Sequence, residues 1–388
     1  MEDNGADISG TGADKRFAII ENDCYDACVS QARMVSLKLA PRACTAVFVL
    51  SLVLPALAAA SESTAFSDVP SGTDIAEAAE YLRGVGVLSG YPDPSDPSGQ
   101  VALFRPDQKV NRAEAIKIII APILKPEALS QLTSSPFNDV KNGDWFLPYV
   151  EAARQNSVVD GPPTKVSFFG SQPVKKMEFI KMLLLAYRID PNAYSEIRLP
   201  LSADASDPTA WYYPYLRYAI TASMTMVSTE GLLDPSRELS RGDASLLLYR
   251  FLMYREGRRT QALLSEAESE ILVVLGNLDA QNIEQAEYAS ARALLAARGA
   301  NTRFPEQTLV QGALKITESF RALVRAYRAG LNQNLEETVR LCGDAWNLAA
   351  RGKELNAELT NVSEQVQGIA KKMAESARAS MSSNASAQ

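Results

Sequence analysis

The chain has 388 residues, room for two or three domains, with 46% hydrophobic and 22% charged residues; that excludes a wholly disordered chain, a collagen-like repeat and a multi-span membrane protein. Histidine is absent, which removes the commonest general base, the commonest metal ligand and every Ser–His or Cys–His nucleophile. A formal charge of −7 argues against a dedicated nucleic-acid binder, so the balance favours a non-enzymatic binding or structural protein without a cofactor.

Sixteen uncharged residues, Thr45 to Ala60, follow Lys38 and Arg42 and end in the small-residue patterns Ala56-Leu57-Ala58 and Ala58-Ala59-Ala60. Basic start, short apolar centre and A-x-A end are the parts of a secretory signal, whereas a membrane span needs roughly 20 apolar residues. Residues 34–60 are therefore expected to be a cleaved signal peptide, giving an exported protein with no membrane span in its mature form. Residues 1–33 are acidic and fit poorly before such a signal: either Met34 is the true start or the segment is a disordered extension. Cleavage would remove Cys24, Cys28 and Cys44, leaving Cys342 and no intrachain disulfide. Cys342 lies in an apolar helical pattern and reads as a small buried residue.

From Phe66 to about Tyr254 the chain repeats itself every 64–71 residues. Phe66-Ser67-Asp68-Val69 recurs as Phe137-Asn138-Asp139-Val140, and Trp145-x-x-Pro148-Tyr149 as Trp211-x-x-Pro214-Tyr215. Each unit closes on a polar start and an apolar helix: Asn111-Arg112-Ala113-Glu114, Lys175-Lys176-Met177-Glu178 and Ser240-Arg241-Gly242-Asp243. The units are predicted at 61–128, 129–195 and 196–256, each a helix, a Pro/Gly-rich loop and a second helix. A two-helix unit cannot bury its apolar stripe alone, so the three should pack on one another. In unit two Trp145, Tyr149 and Ala152 fall on one face of a first helix, and the Asp139 region is suited to capping it.

Asn111, Glu114, Glu178 and Asp243 have the spacing of helix starts. Arg112, Lys176 and Arg241 beside those starts put cations next to unpaired backbone N–H groups, an arrangement suited to an anion. Trp145 and Trp211 fit either of two roles, a platform for a sugar ring or an anchor in the core. Arg241-Gly242-Asp243 is explained by the repeat and needs no adhesive role. No catalytic spacing, phosphate loop or metal-ligand cluster is present.

These motifs resemble the S-layer homology domain, whose pattern runs F-x-D-V, W on a helix, G-Y-P-D-G, F-R-P and T-R-A-E. Unit one carries Phe66, Asp68, Val69, Gly90-Tyr91-Pro92-Asp93, Phe104-Arg105-Pro106 and Arg112-Ala113-Glu114, with Asp74 where the tryptophan stands. Unit two loses the glycine-tyrosine loop and has Lys176 for arginine; unit three has Asp243 for glutamate and no opening phenylalanine. The resemblance covers about half the chain. It implies a mainly α, pseudo-threefold assembly of three such units that binds cell-wall polysaccharide or a peptidoglycan-linked polymer. The substituent implied is a pyruvyl ketal, with Arg112, Lys176, Arg241, Asp68, Asp139, Trp145, Trp211 and Gly90 as binding residues. The alternative is an envelope scaffold whose degenerate triplet serves protein–protein contacts.

Residues 257–380 are rich in Ala, Leu, Glu and Arg, contain one proline, Pro305, and read as helices broken near Gly276, Gly299 and Gly330. Heptad seams run through Leu309, Ala313, Ile316, Phe320, Leu323 and Tyr327, and in a single phase from Leu341 to Met373. They suit an antiparallel bundle or a coiled coil, the latter a route to a homo-oligomer; residues 381–388 are expected to lack order.

Overall fold

The computed structural model describes residues 66–96 and 102–386; the expected signal peptide and the segment before it lie outside the described residues. The described chain is mainly α, and none of its helices is long and apolar enough to cross a membrane. Repeat one consists of α1 (Asp74–Gly84), the antiparallel pair β1 (Tyr91–Pro92) and β2 (Ala102–Leu103), and α2 (Arg112–Ile120). A short α3 (Pro126–Leu129) leads to repeat two, α4 (Leu147–Gln155) and α5 (Lys176–Ala186). Repeat three has a 3₁₀ turn at Ala203–Ala205, then α6 (Tyr213–Thr221) and α7 (Arg241–Arg255).

The second helices start as their sequences dictate. Asn111 Oδ1 accepts from the Glu114 N–H at 2.9 Å while Glu114 accepts from the Asn111 N–H at 3.0 Å. Ser240 and Asp243 repeat the exchange at 3.2 and 3.0 Å. In repeat two only half remains, the Lys175 N–H donating to Glu178 at 3.1 Å, because lysine has no acceptor. The first helices end alike, on Gly86, Ser157 and Ser223 at φ 74°, 58° and 53°. That left-handed step turns Val87, Val158 and Met224 back into the core.

A closed ring of backbone hydrogen bonds joins the repeats. Val110 N–H donates to Leu239, Leu239 to Val174 and Val174 to Val110, each at 3.0 Å. Around it, Arg112 and Ala113 donate to Gln172 and Gly170, Lys176 and Met177 to Arg237 and Pro235, and Arg241 and Gly242 to Gln108 and Pro106. Each second helix therefore docks its start on the loop of the next repeat.

Asp68, Asp139 and Asp204 hold those loops. Asp68 accepts from the N–H groups of Phe104 (2.7 Å) and Arg105 (2.6 Å), and Asp139 from Phe168 and Phe169 (both 2.7 Å). Asp204 accepts from Leu233 (3.0 Å) and Asp234 (2.7 Å). The second residue of each pair, Arg105, Phe169 or Asp234, is left-handed at φ 61°, 59° or 48°. For a non-glycine that costs about 1–2 kcal/mol, which two charge-assisted hydrogen bonds exceed. Asp139 is thus a clamp on the following loop rather than a cap on α4, and Trp145 precedes that helix instead of lying in it.

Among the described residues the tail has five α-helices: α8 (Thr260–Asp279), α9 (Ile283–Arg303), α10 (Thr308–Leu331), α11 (Leu335–Leu355) and α12 (Thr360–Ser386). They form two overlapping three-helix groups that share α10. Pro305 lies in the α9–α10 connection, and the expected breaks near Gly276 and Gly330 fall within a few residues of the ends of α8 and α10. Gly299 does not break α9. A Cβ there would stand 1.8 Å from the Thr221 carbonyl oxygen, so the glycine permits α9 to press on the end of α6. Conversely, the single heptad phase from Leu341 to Met373 is divided at Asn356, extended at φ −150° and ψ 123°. Both halves turn their seam to α10, so periodicity alone hides the hairpin. Helix α12 runs to Ser386, through most of the segment expected to lack order. Cys342 is buried.

The apolar core continues across residue 257, from Phe66 to Leu314, taking in Leu263, Leu264, Ala267 and Leu295 of the tail. Polar groups reinforce the joint: Arg292 donates to the Leu201 carbonyl at 2.6 Å and pairs with Glu270 at 2.6 Å. Ser223, Arg259 and Glu266 form a second hydrogen-bonded knot.

Candidate functional site

The ring creates three equivalent positions between repeats. Each combines the loop after a first helix, the outer face of a second helix, the start of the next repeat's first helix, and the basic residue of the preceding repeat.

At the first position these parts form an open groove of about 340 Å³, lined in part by Gly90, Tyr91, Glu114, Lys117, Trp145 and Arg241. Gly90 is there because a Cβ would stand 2.3 Å from Ala102 Cβ and 2.9 Å from the Phe66 ring. Arg241 crosses from repeat three, donates to the Ser89 carbonyl at 2.8 Å and lies 5.1 and 5.2 Å from the ring centres of Tyr91 and Phe104. Its Nε is buried without a partner among the described residues. Lys117 Nζ stands 6.0 Å from the centre of the Trp145 ring. Burial, then repulsion from Arg241, holds Lys117 below the usual lysine range, with Glu114 opposing. Trp145 is 54% exposed, so the core role does not apply to it. Two cations beside an uncovered indole suit a saccharide bearing an acid group.

The second position repeats the set with Arg112, Glu178, Lys181 and Trp211. Lys181 Nζ is 5.7 Å from the centre of Trp211, which is 57% exposed. Arg112 Nε donates to the Phe168 carbonyl at 3.1 Å and packs 5.2 Å from that ring. Burial lowers its pKa, with Glu178 opposing.

The third position has lost the chemistry. Lys176 is 6% exposed and gives its ammonium to the Leu233 carbonyl at 2.6 Å. Burial, then the Arg237 charge, lowers its pKa to about 8. Asp243 is held by Arg237 at 2.8 and 3.1 Å. Leu246 stands where the other positions have lysine, and Asp74, where they have tryptophan, pairs with Arg250 at 2.6 Å.

The helix starts themselves are not free to take an anion. Their first two N–H groups donate to the neighbouring repeat and the third to the cap in repeats one and three, so any anion must be met by side chains. Asp68 and Asp139 are engaged by backbone as described. Sequence reasoning missed Asp204, which does the same work without an opening phenylalanine. It also missed Lys117 and Lys181, five residues after each basic position, and Tyr91 as a groove wall.

A family model for the S-layer homology domain matches residues 65–116 and 136–180. Two segments of the chain thus match the S-layer homology domain. The matched segments lie in the first two repeats; the third stands in the same ring of hydrogen bonds. Among curated proteins, the S-layer protein EA1 of Bacillus anthracis is 27% identical over 201 residues, 52% of this chain and 21% of that protein. An S-layer protein of Bacillus licheniformis is 26% identical over 202 residues, again 52% and 21%. The middle cell wall protein of Brevibacillus brevis is 28% identical over 145 residues, 37% of this chain and 13% of that protein. The chain thus spans about a fifth or less of these relatives, which are named as S-layer and cell-wall proteins.

Proposed function

We propose that this is an exported, non-enzymatic protein of the bacterial cell envelope, held on the wall by its S-layer homology repeats. The first groove binds an acidic wall polysaccharide, with a pyruvyl-ketal carboxylate meeting Arg241 and Lys117 while a sugar ring stacks on Trp145. The observation that carries this reading is the pairing of an exposed tryptophan with a lysine and an incompletely satisfied arginine in one groove. The second position offers the same residue types through Arg112, Lys181 and Trp211. The tail projects from repeat three as a fixed extension, since core and polar joint both cross the boundary.

Mild acid removes ketals from wall polysaccharide without dissolving the sacculus. The protein should sediment with untreated sacculi and remain in solution with treated ones. Equal binding to both would leave the repeats as a scaffold for protein contacts.

A further inference from the structure

Beside the first groove, against its Tyr91 wall, stands an arginine whose counterparts in the other two repeats are not basic. Arg105 Cζ stands 4.3 Å from the centre of the Tyr91 ring, and Arg241 Cζ stands 5.1 Å from the same ring. Neither guanidinium forms an ion pair among the described residues, although chains of this charge balance offer carboxylates in excess. The two are close enough for the Arg105 charge to oppose that of Arg241. Arg105 is exposed, but its place is fixed: Asp68 clamps its N–H and that of Phe104, holding the backbone at φ 61°. At the equivalent places the second repeat has Phe169 and the third Asp234. Pro162 and Ser228 replace Tyr91 there.

We infer that Arg105 is a second anion contact at the mouth of the first groove, so that the preferred ligand is a saccharide segment bearing two acid groups. The inner acid meets Arg241 and Lys117, and the outer one meets Arg105 across the face of Tyr91. This rests on the anchoring reading above. The outer acid is a carboxylate or a phosphate, since one guanidinium forks equally well onto either.

Three synthetic disaccharides and the exported protein test this by titration calorimetry. One carries a single pyruvyl ketal, the second adds a uronate carboxylate on the neighbouring sugar, and the third adds a phosphate there. At least one doubly charged probe should bind roughly tenfold or more tightly than the singly charged one, and which does so identifies the outer acid. Arg105→Gln should abolish that ratio while leaving the singly charged probe unaffected; Arg105→Lys should restore much of it, and Phe169→Ala should change nothing. A merely structural role for Arg105 would weaken all three probes together, and that outcome overturns the inference. So does a wild-type protein that binds the three equally, which would leave anchoring intact. Failure to bind any probe together with failure to sediment with untreated sacculi would instead overturn the anchoring reading.

Discussion

Replacing Gly299 by alanine tests how the tail is joined to the repeats. In an isolated helix the change is favourable by about 1 kcal/mol, because alanine loses less backbone freedom. Here the new Cβ would lie 1.8 Å from the Thr221 carbonyl oxygen and 2.9 Å from its carbon. The obstacle is backbone, so α9 and α6 must separate by more than an ångström, loosening Leu295 and Ala296 from the shared core. Overpacking of this kind costs about 3 kcal/mol or somewhat more, leaving a net loss of about 2 kcal/mol. With an unfolding entropy of about 2.1 cal/mol/K per residue over roughly 300 folded residues, that lowers the melting temperature by roughly 3 °C. Gly276→Ala is the internal control: nothing lies within 4 Å of its Cβ, and α8 continues past it, so the same substitution should stabilise. Melting followed by circular dichroism reads both. A neutral or stabilising Gly299→Ala would refute the close approach of α9 to α6 and, with it, the fixed tail.

Asp68→Ala removes two charge-assisted bonds that hold a left-handed arginine, and should cost about 3 kcal/mol in chemical denaturation; Asp139→Ala should match it. Lys176 is a proton-linked case with a definite sign. Its pKa is about 8 folded against 10.5 unfolded, so the unfolded chain binds more protons in that window and stability rises with pH through it. Between pH 8 and 10 the gain attributable to Lys176 is at most about 2 kcal/mol, and it should vanish in Lys176→Met when denaturation is compared at the two pH values. An unchanged slope in that variant would mean that Lys176 is better solvated than its contact with Leu233 implies.

What the sequence revealed depended on range. The capping boxes of Asn111 with Glu114 and Ser240 with Asp243 are local, and the structure has them as their spacing suggests. The repeat was legible because equivalent positions bear equivalent residues. Asp68 and Asp139 were legible as repeated residues but not as clamps, since their partners lie about 30 residues downstream and are backbone. Trp145 was ambiguous because the helical spacing that suggested a core face fails when the helix starts two residues later, at Leu147. Gly299 read as a breaker and proved to be a contact. Propensity carries no information about a neighbouring carbonyl. Asn356 was invisible for the opposite reason: the apolar phase survives a hairpin whose two arms face the same helix. Asp74 was legible in the tryptophan place, but that Leu246 and the buried Lys176 share its position emerged only from the fold.

The most direct test of the account is co-sedimentation of the exported protein with purified wall sacculi, comparing wild type with the double variant Lys117→Gln/Trp145→Ala. Both side chains lie on the groove surface, so melting should be unchanged. If the first groove anchors the chain, loss of one charge-assisted contact and one stacking platform should weaken binding by tenfold or more. Undiminished binding by the folded variant would contradict it.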